Sequence, residues 1–104
     1  MNKRNVVVHS QRVEALVCEE TIRILRDDVH DPLLQQLQVV RVQRDGGARV
    51  TIHYASRLPE EVLREMLRRV EGFIRRQLCH ALSMRRCPHV RFERVGALLD
   101  GGES

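Results

Sequence analysis

The chain has 104 residues, which makes one domain able to bury roughly 60 to 65% of its extended-chain surface. Its 18 basic residues outnumber 14 acidic ones for a formal charge of +4, and with no tryptophan and few aromatics its core must be aliphatic. No apolar run approaches the roughly 20 residues that a bilayer crossing needs, and Val6-Val7-Val8 is too short for a secretory leader. The chain therefore reads as soluble and cytoplasmic, and its three cysteines at irregular spacing as reduced thiols.

Residues 1–9 have no sustained period and are expected to be flexible, as is the glycine-rich tail at 96–104. From Ser10 or Gln11, Val13, Leu16, Val17, Thr21, Ile24 and Leu25 approximate one face of a helix. Ser10 is available as its N-cap. The helix is expected to end by Asp31-Pro32, since a residue before proline is pushed out of the α region. Residues 37–44 and 48–55 are rich in β-branched side chains and flank Asp45-Gly46-Gly47, a strong hairpin signal. In the second strand Val50, Ile52 and Tyr54 face one way and Arg49, Thr51 and His53 the other. One face is then core and one wet, with His53 on the wet side.

Pro59, Glu60 and Glu61 open a helical stretch within 60–86, broken near Val70-Glu71-Gly72-Phe73, whose pattern fails after Leu82. Val62, Leu63, Met66, Leu67, Val70, Phe73, Ile74, Leu78, Ala81 and Leu82 make its apolar face. Steps of four from Arg64 give Arg68, Gly72, Arg76 and His80, so the glycine lies in a cationic stripe. A glycine within a helix costs about 1 kcal/mol against alanine. It marks either a kink or close packing against a neighbour, or a bare stretch of backbone that a phosphate chain can approach. Residues 89–94 alternate once more, with Val90 and Phe92 inward and Pro88 at the mouth of the strand. The order is α, β, β, α, kink, α, β: an α+β domain over 10–95 with a three-stranded sheet and helices on one side.

Charge is unevenly spread. Residues 72–94 carry a local +5 and residues 11–31 a local −3. A basic concentration of this kind suits a polyanion, because neutralised phosphates release condensed counterions. Arginine preference by itself says less, with seventeen arginines against one lysine. Cys79, His80, Cys87 and His89 invite a zinc reading, but adjacent Cys79 and His80 diverge on a helix and the spacing lacks a converging pair. No metal or cofactor is expected.

Several segments together resemble the bacterial ribosome-binding factor A family. They are Arg12-Val13, Asp31-Pro32-Leu33-Leu34, Arg44-Asp45 before Ala-Arg-Val-Thr-Ile, Gly72-Phe73-Ile74-Arg75, and the run from Leu82-Ser83-Met84-Arg85-Arg86-Cys87-Pro88 through His89-Val90-Arg91-Phe92. The resemblance implies a type II KH-like domain, α-β-β-α-(kink)-α-β, in which an Ala-x-Gly kink replaces the usual Gly-x-x-G loop. It also implies binding to 16S rRNA in the immature 30S subunit during late maturation. Here Val70 stands in place of the family's alanine, Leu33 in place of the arginine after Asp-Pro, and the C-terminal extension is shorter than usual. In a KH-type domain Gly72 would supply the backbone approach, with Arg68, Arg75, Arg76, Arg85 and Arg86 on phosphates and Arg91 extending the surface. Arg64 and Arg94, with acids nearby, read as exposed, solvated charges or surface ion pairs.

Three function classes follow. The first is a non-enzymatic, monomeric RNA-binding assembly factor whose partners are 16S rRNA in the free 30S subunit and ribosomal proteins. The second is a protein-interaction module using the acidic first helix. The third is a small metal-dependent enzyme, against which stands the lack of a nucleophile with a sequence-linked base or of paired acids at catalytic spacing.

Overall fold

The computed structural model describes the backbone of residues 3–45 and 49–97, and the side chains of 12–45 and 49–95. Helix α1 spans Lys3–Arg23 and runs into a π-helical turn, Ile24–Asp28. A short 3-10 turn, Leu34–Gln36, leads to strands β1 (Gln38–Arg44) and β2 (Arg49–Ser56). Helix α2 (Glu60–Ala81) and strand β3 (His89–Ala97) complete the order. The sheet order is β1-β2-β3, with β1 antiparallel and β3 parallel to the central β2. A parallel pair needs a crossover connection, and α2 supplies it.

Both helices pack on one side of the sheet. Val17, Ile24 and Leu25 from the first helical stretch meet Leu63, Leu67, Ile74 and Leu78 of α2 over Val42, Val50, Ile52, Tyr54 and Val90. The aliphatic core and the α+β layering thus match the hydrophobic pattern. No helix among the described residues is long and apolar enough to cross a membrane.

Four expectations are corrected. First, α1 begins at Lys3 rather than at Ser10 or Gln11. No proline or glycine lies before Ser10 to stop a helix, and a weak apolar period does not by itself end one. Second, the break at residues 70–73 does not divide the following helix, because α2 is a single α-helix with Gly72 inside it. The cost of one glycine is small beside the burial of Leu67, Ile74 and Leu78 on either side of it. Third, the expected wet face of β2 is exposed only at Arg49: Thr51 and His53 are 6% and 8% exposed. β2 is the central strand, so Gln43 on β1 and Glu93 on β3 flank the imidazole. His53 Nε2 lies 3.1 Å from Gln43 Oε1, and Nδ1 lies 3.9 Å from Glu93 Oε1. Fourth, Val62 and Ala81 of α2 and Leu16 of α1 do not lie on the buried faces but are exposed.

The hairpin forms in the expected register, with Gln38 opposite Ala55, Arg44 opposite Val50, and a bulge between Val39 and Arg41. The Gly46-Gly47 tip lies outside the described residues, though the Asp45 N–H donates to the Arg49 carbonyl at 3.1 Å, closing the hairpin behind it. One tertiary tie has no local signature. The Arg44 N–H donates to Glu14 Oε2 at 2.8 Å, fastening the end of β1 to α1.

Candidate nucleic-acid interface

Gly72 is exposed, and a Cβ built on it would meet only Arg76 Nη1, at an ordinary 3.5 Å. Neither positive φ nor a close neighbour within the chain requires glycine here. The alternative of close packing therefore fails, and the helix carries the propensity cost of glycine without an internal return. The bare backbone is open to the outside.

On the N-terminal side of Gly72, α2 and the edge strand β3 enclose an open groove of about 780 Å³. Arg64, Arg68, Glu71, Arg91, Glu93 and Arg94 line it. Tyr54 and Phe92 also line it and pack edge-to-face at 6.3 Å, the tyrosine's burial pushing its phenol pKa up. Arg64 pairs with Glu60 at 3.1 Å, as expected, and Arg68 with Glu65 at 3.3 Å; both pairs are exposed. Arg94 departs from its expected role as the partner of a nearby acid. Its Nη2 donates to the Ser56 carbonyl at 2.6 Å, while Nη1 is buried without a hydrogen-bond partner among the described residues.

On the other side of Gly72, α2 ends in a Schellman turn: the Met84 N–H donates to the Cys79 carbonyl (3.0 Å) and the Ser83 N–H to the His80 carbonyl (3.3 Å). Ser83 occupies the left-handed position with φ of 51°, where glycine is usual. The segment beyond this cap carries Arg85 and Arg86, both exposed. Arg75 is half-buried beneath it, donating from Nη2 to the Cys87 carbonyl at 3.3 Å. Arg76 lines a shallow hollow of about 480 Å³ with Cys79, His80, Ser83, Met84 and Cys87.

The cysteine expectation is corrected here. Cys79 and Cys87 form a disulfide, their Cα atoms 5.0 Å apart, and Cys18 is free. The reverse turn at Ser83 carries the chain back beside the last turn of α2, bringing the pair within disulfide range. Burial pushes the Cys18 thiol pKa up, with Glu19 adding to the effect. Among the described residues no three His, Cys, Asp or Glu side chains converge as metal ligands.

The seven residues singled out in the sequence thus fall in distinct places. Arg68 and Arg91 line the α2/β3 groove, Gly72 and Arg76 follow along α2, Arg75 is turned inward, and Arg85 and Arg86 project from the loop. Arg76, Arg85, Arg86 and Arg91 make no ion pair among the described residues. The family model described as ribosome-binding factor A matches residues 9–96, nearly the whole described chain.

The chain belongs to the ribosome-binding factor A family. Ribosome-binding factor A of Moorella thermoacetica is 33% identical over 94 residues, covering 85% of this chain and 77% of that one. The protein of the same name from Clostridium novyi is 33% identical over 88 residues, covering 79% and 72%. The crystal structure of ribosome-binding factor A from Thermus thermophilus superposes with a TM-score of 0.74 at 23% identity, over 82% of this chain and 94% of that one. That likeness shows the fold, KH-like and α+β. The segments by which this chain resembles its family also have structural work. Asp31 Oδ1 accepts the Leu33 N–H at 3.0 Å to turn the chain, Arg44 meets Glu14, and Ser83 caps α2.

Proposed function

We propose that this protein is a non-enzymatic ribosome assembly factor. It binds the immature 30S subunit in the cytoplasm, as a monomer, and supports late maturation of 16S rRNA through phosphate and shape recognition. The observation that carries the reading is Gly72: an exposed glycine in an unbroken helix, demanded by nothing inside the chain and followed one turn later by Arg76. Arg68, Arg76, Arg85, Arg86 and Arg91 meet phosphates around it, while Arg75 holds the carbonyl of Cys87 and so places the loop from below. Base stacking has little part, since Tyr54 is buried and Phe92 packs against it. The family name supports the ribosome as the partner.

The interaction-module reading is disfavoured because most of the acids in the first helical stretch are already engaged within the chain.

The test is the affinity of the full chain for small-subunit RNA across a salt series, beside Gly72→Ala. The parent affinity is expected to fall with a log-log slope of several units. Gly72→Ala is expected to gain up to about 1 kcal/mol of stability and to lose roughly tenfold in affinity, because its methyl holds the phosphate chain off the helix surface. Salt-insensitive binding would remove the phosphate surface. An alanine variant that binds like the parent would remove Gly72 from it.

A further inference from the structure

The Cys79–Cys87 disulfide joins the last turn of α2 to the residue before Pro88 and so closes the segment that carries Arg85 and Arg86. Little else holds that segment. The two cap hydrogen bonds end at Ser83 and Met84, and among the described residues no backbone hydrogen bond from outside reaches Arg85 or Arg86. Arg75 grips the Cys87 carbonyl from one side only. Both cysteines are half-buried rather than sealed, and the hollow beside them gives a small thiol a route to the sulfurs. Arg76 lines the same hollow, the kind of cation that favours a thiolate when the bond opens. Cys18, by contrast, sits on α1 as a free thiol.

We infer that Cys79–Cys87 is a reversible redox latch: oxidised, it holds the Arg85–Arg86 loop in one arrangement and raises RNA affinity; reduced, it releases the loop and lowers it. The couple is a two-electron thiol–disulfide exchange with glutathione. A glutathione thiolate attacks one sulfur of the protein disulfide to give a mixed disulfide and a protein thiolate. A second glutathione thiolate displaces the remaining protein sulfur, so the protein gains two electrons and two protons while two glutathiones become one glutathione disulfide. Affinity follows because a loop fixed beforehand loses less freedom when its arginines settle on phosphates. The RNA readout rests on the function proposed above, whereas the latch itself has readouts that need no RNA.

The experiment equilibrates the full chain in mixtures of reduced and oxidised glutathione and blocks free thiols with N-ethylmaleimide. Intact mass should move from one adduct, on Cys18, to three as the mixture becomes reducing. The midpoint should lie within the glutathione buffering range. Over the same transition the Ser83 and Met84 amides should exchange roughly tenfold faster, as local opening of the cap becomes easier. Small-subunit RNA should bind the oxidised form about three- to tenfold more tightly than the reduced form. A Cys79→Ser/Cys87→Ser variant should match the reduced form and ignore glutathione. An adduct count constant at every ratio, or oxidised and reduced affinities agreeing within about twofold, overturns the latch. If neither form binds RNA, the proposed function falls, and the adduct count with amide exchange still decides whether the bond opens and loosens the loop.

Discussion

The acidic stretch at 11–31 and the basic stretch at 72–94 have opposite net charge, and they use their charges differently. Along the first helical stretch and its turn, Arg23 pairs with Glu20 at 2.6 Å and with Asp28 at 3.1 Å, and Arg26 with Asp27 at 2.8 Å. Glu14 accepts a backbone N–H and Asp31 another. Around α2 and the loop after it, Arg76, Arg85, Arg86 and Arg91 pair with no acid among the described residues. Net charge alone would present both ends as docking surfaces. The basic stretch keeps more of its charge unpaired, while in the acidic one Glu20, Asp27 and Asp28 are matched by arginines.

The largest effect that would break this contrast is charge reversal of the free set. Arg76→Glu, Arg85→Glu, Arg86→Glu and Arg91→Glu together should lower affinity for small-subunit RNA by at least about a hundredfold and flatten its salt dependence by several units. Thermal unfolding should move little, since each is a surface change worth within about 0.5 kcal/mol. A matching collapse of stability would mean that these residues serve the core.

The acidic end should show the opposite signature. Glu14→Ala strips the acceptor from the part-buried Arg44 N–H and should cost about 1 to 3 kcal/mol in chemical denaturation, with RNA affinity of the folded protein unchanged. Next in size, Ser83→Gly relieves a left-handed serine and should stabilise the fold by roughly 1 kcal/mol. A loss of stability there would mean that the serine hydroxyl does something the backbone geometry does not reveal.

Smallest is an acid titration of the exposed Arg26–Asp27 pair. The hydrogen bond from Arg26 holds the Asp27 carboxyl below its ordinary value, with charge attraction adding to it. Its slight contribution is therefore present above the unfolded carboxylate value of about 4 and lost as pH falls through the lower folded one. Asp27→Asn should remove that part of the acid dependence and leave RNA binding as it was.

These contrasts also explain what could be read from residues in order. Period and turn chemistry located β1, β2 and the buried stripe Leu63, Leu67, Ile74 and Leu78, because each depends on near neighbours in the chain. Gly72 was legible as a residue needing a reason, but not as one inside a continuous helix, since packing on both sides outweighs local propensity. Alternation told which way His53 points and not how deeply it lies; depth comes from Gln43 and Glu93 on the adjoining strands. The Glu14–Arg44 tie and the Cys79–Cys87 bond depend on where the chain returns in space, which spacing alone does not encode. Arg94 was misread for the same reason: a carbonyl at Ser56 reaches it before any neighbouring acid does.

Parallel pairing of β3 with β2 has a consequence for the order of assembly. His89 aligns with Arg49, and all of α2 lies between them in the chain. The final strand can dock only after the crossover helix has been made and folded back, so a nascent chain halted at the end of α2 has its glycine but not the wall that carries Arg91. The phosphate-facing groove is among the last parts of the protein to come into being.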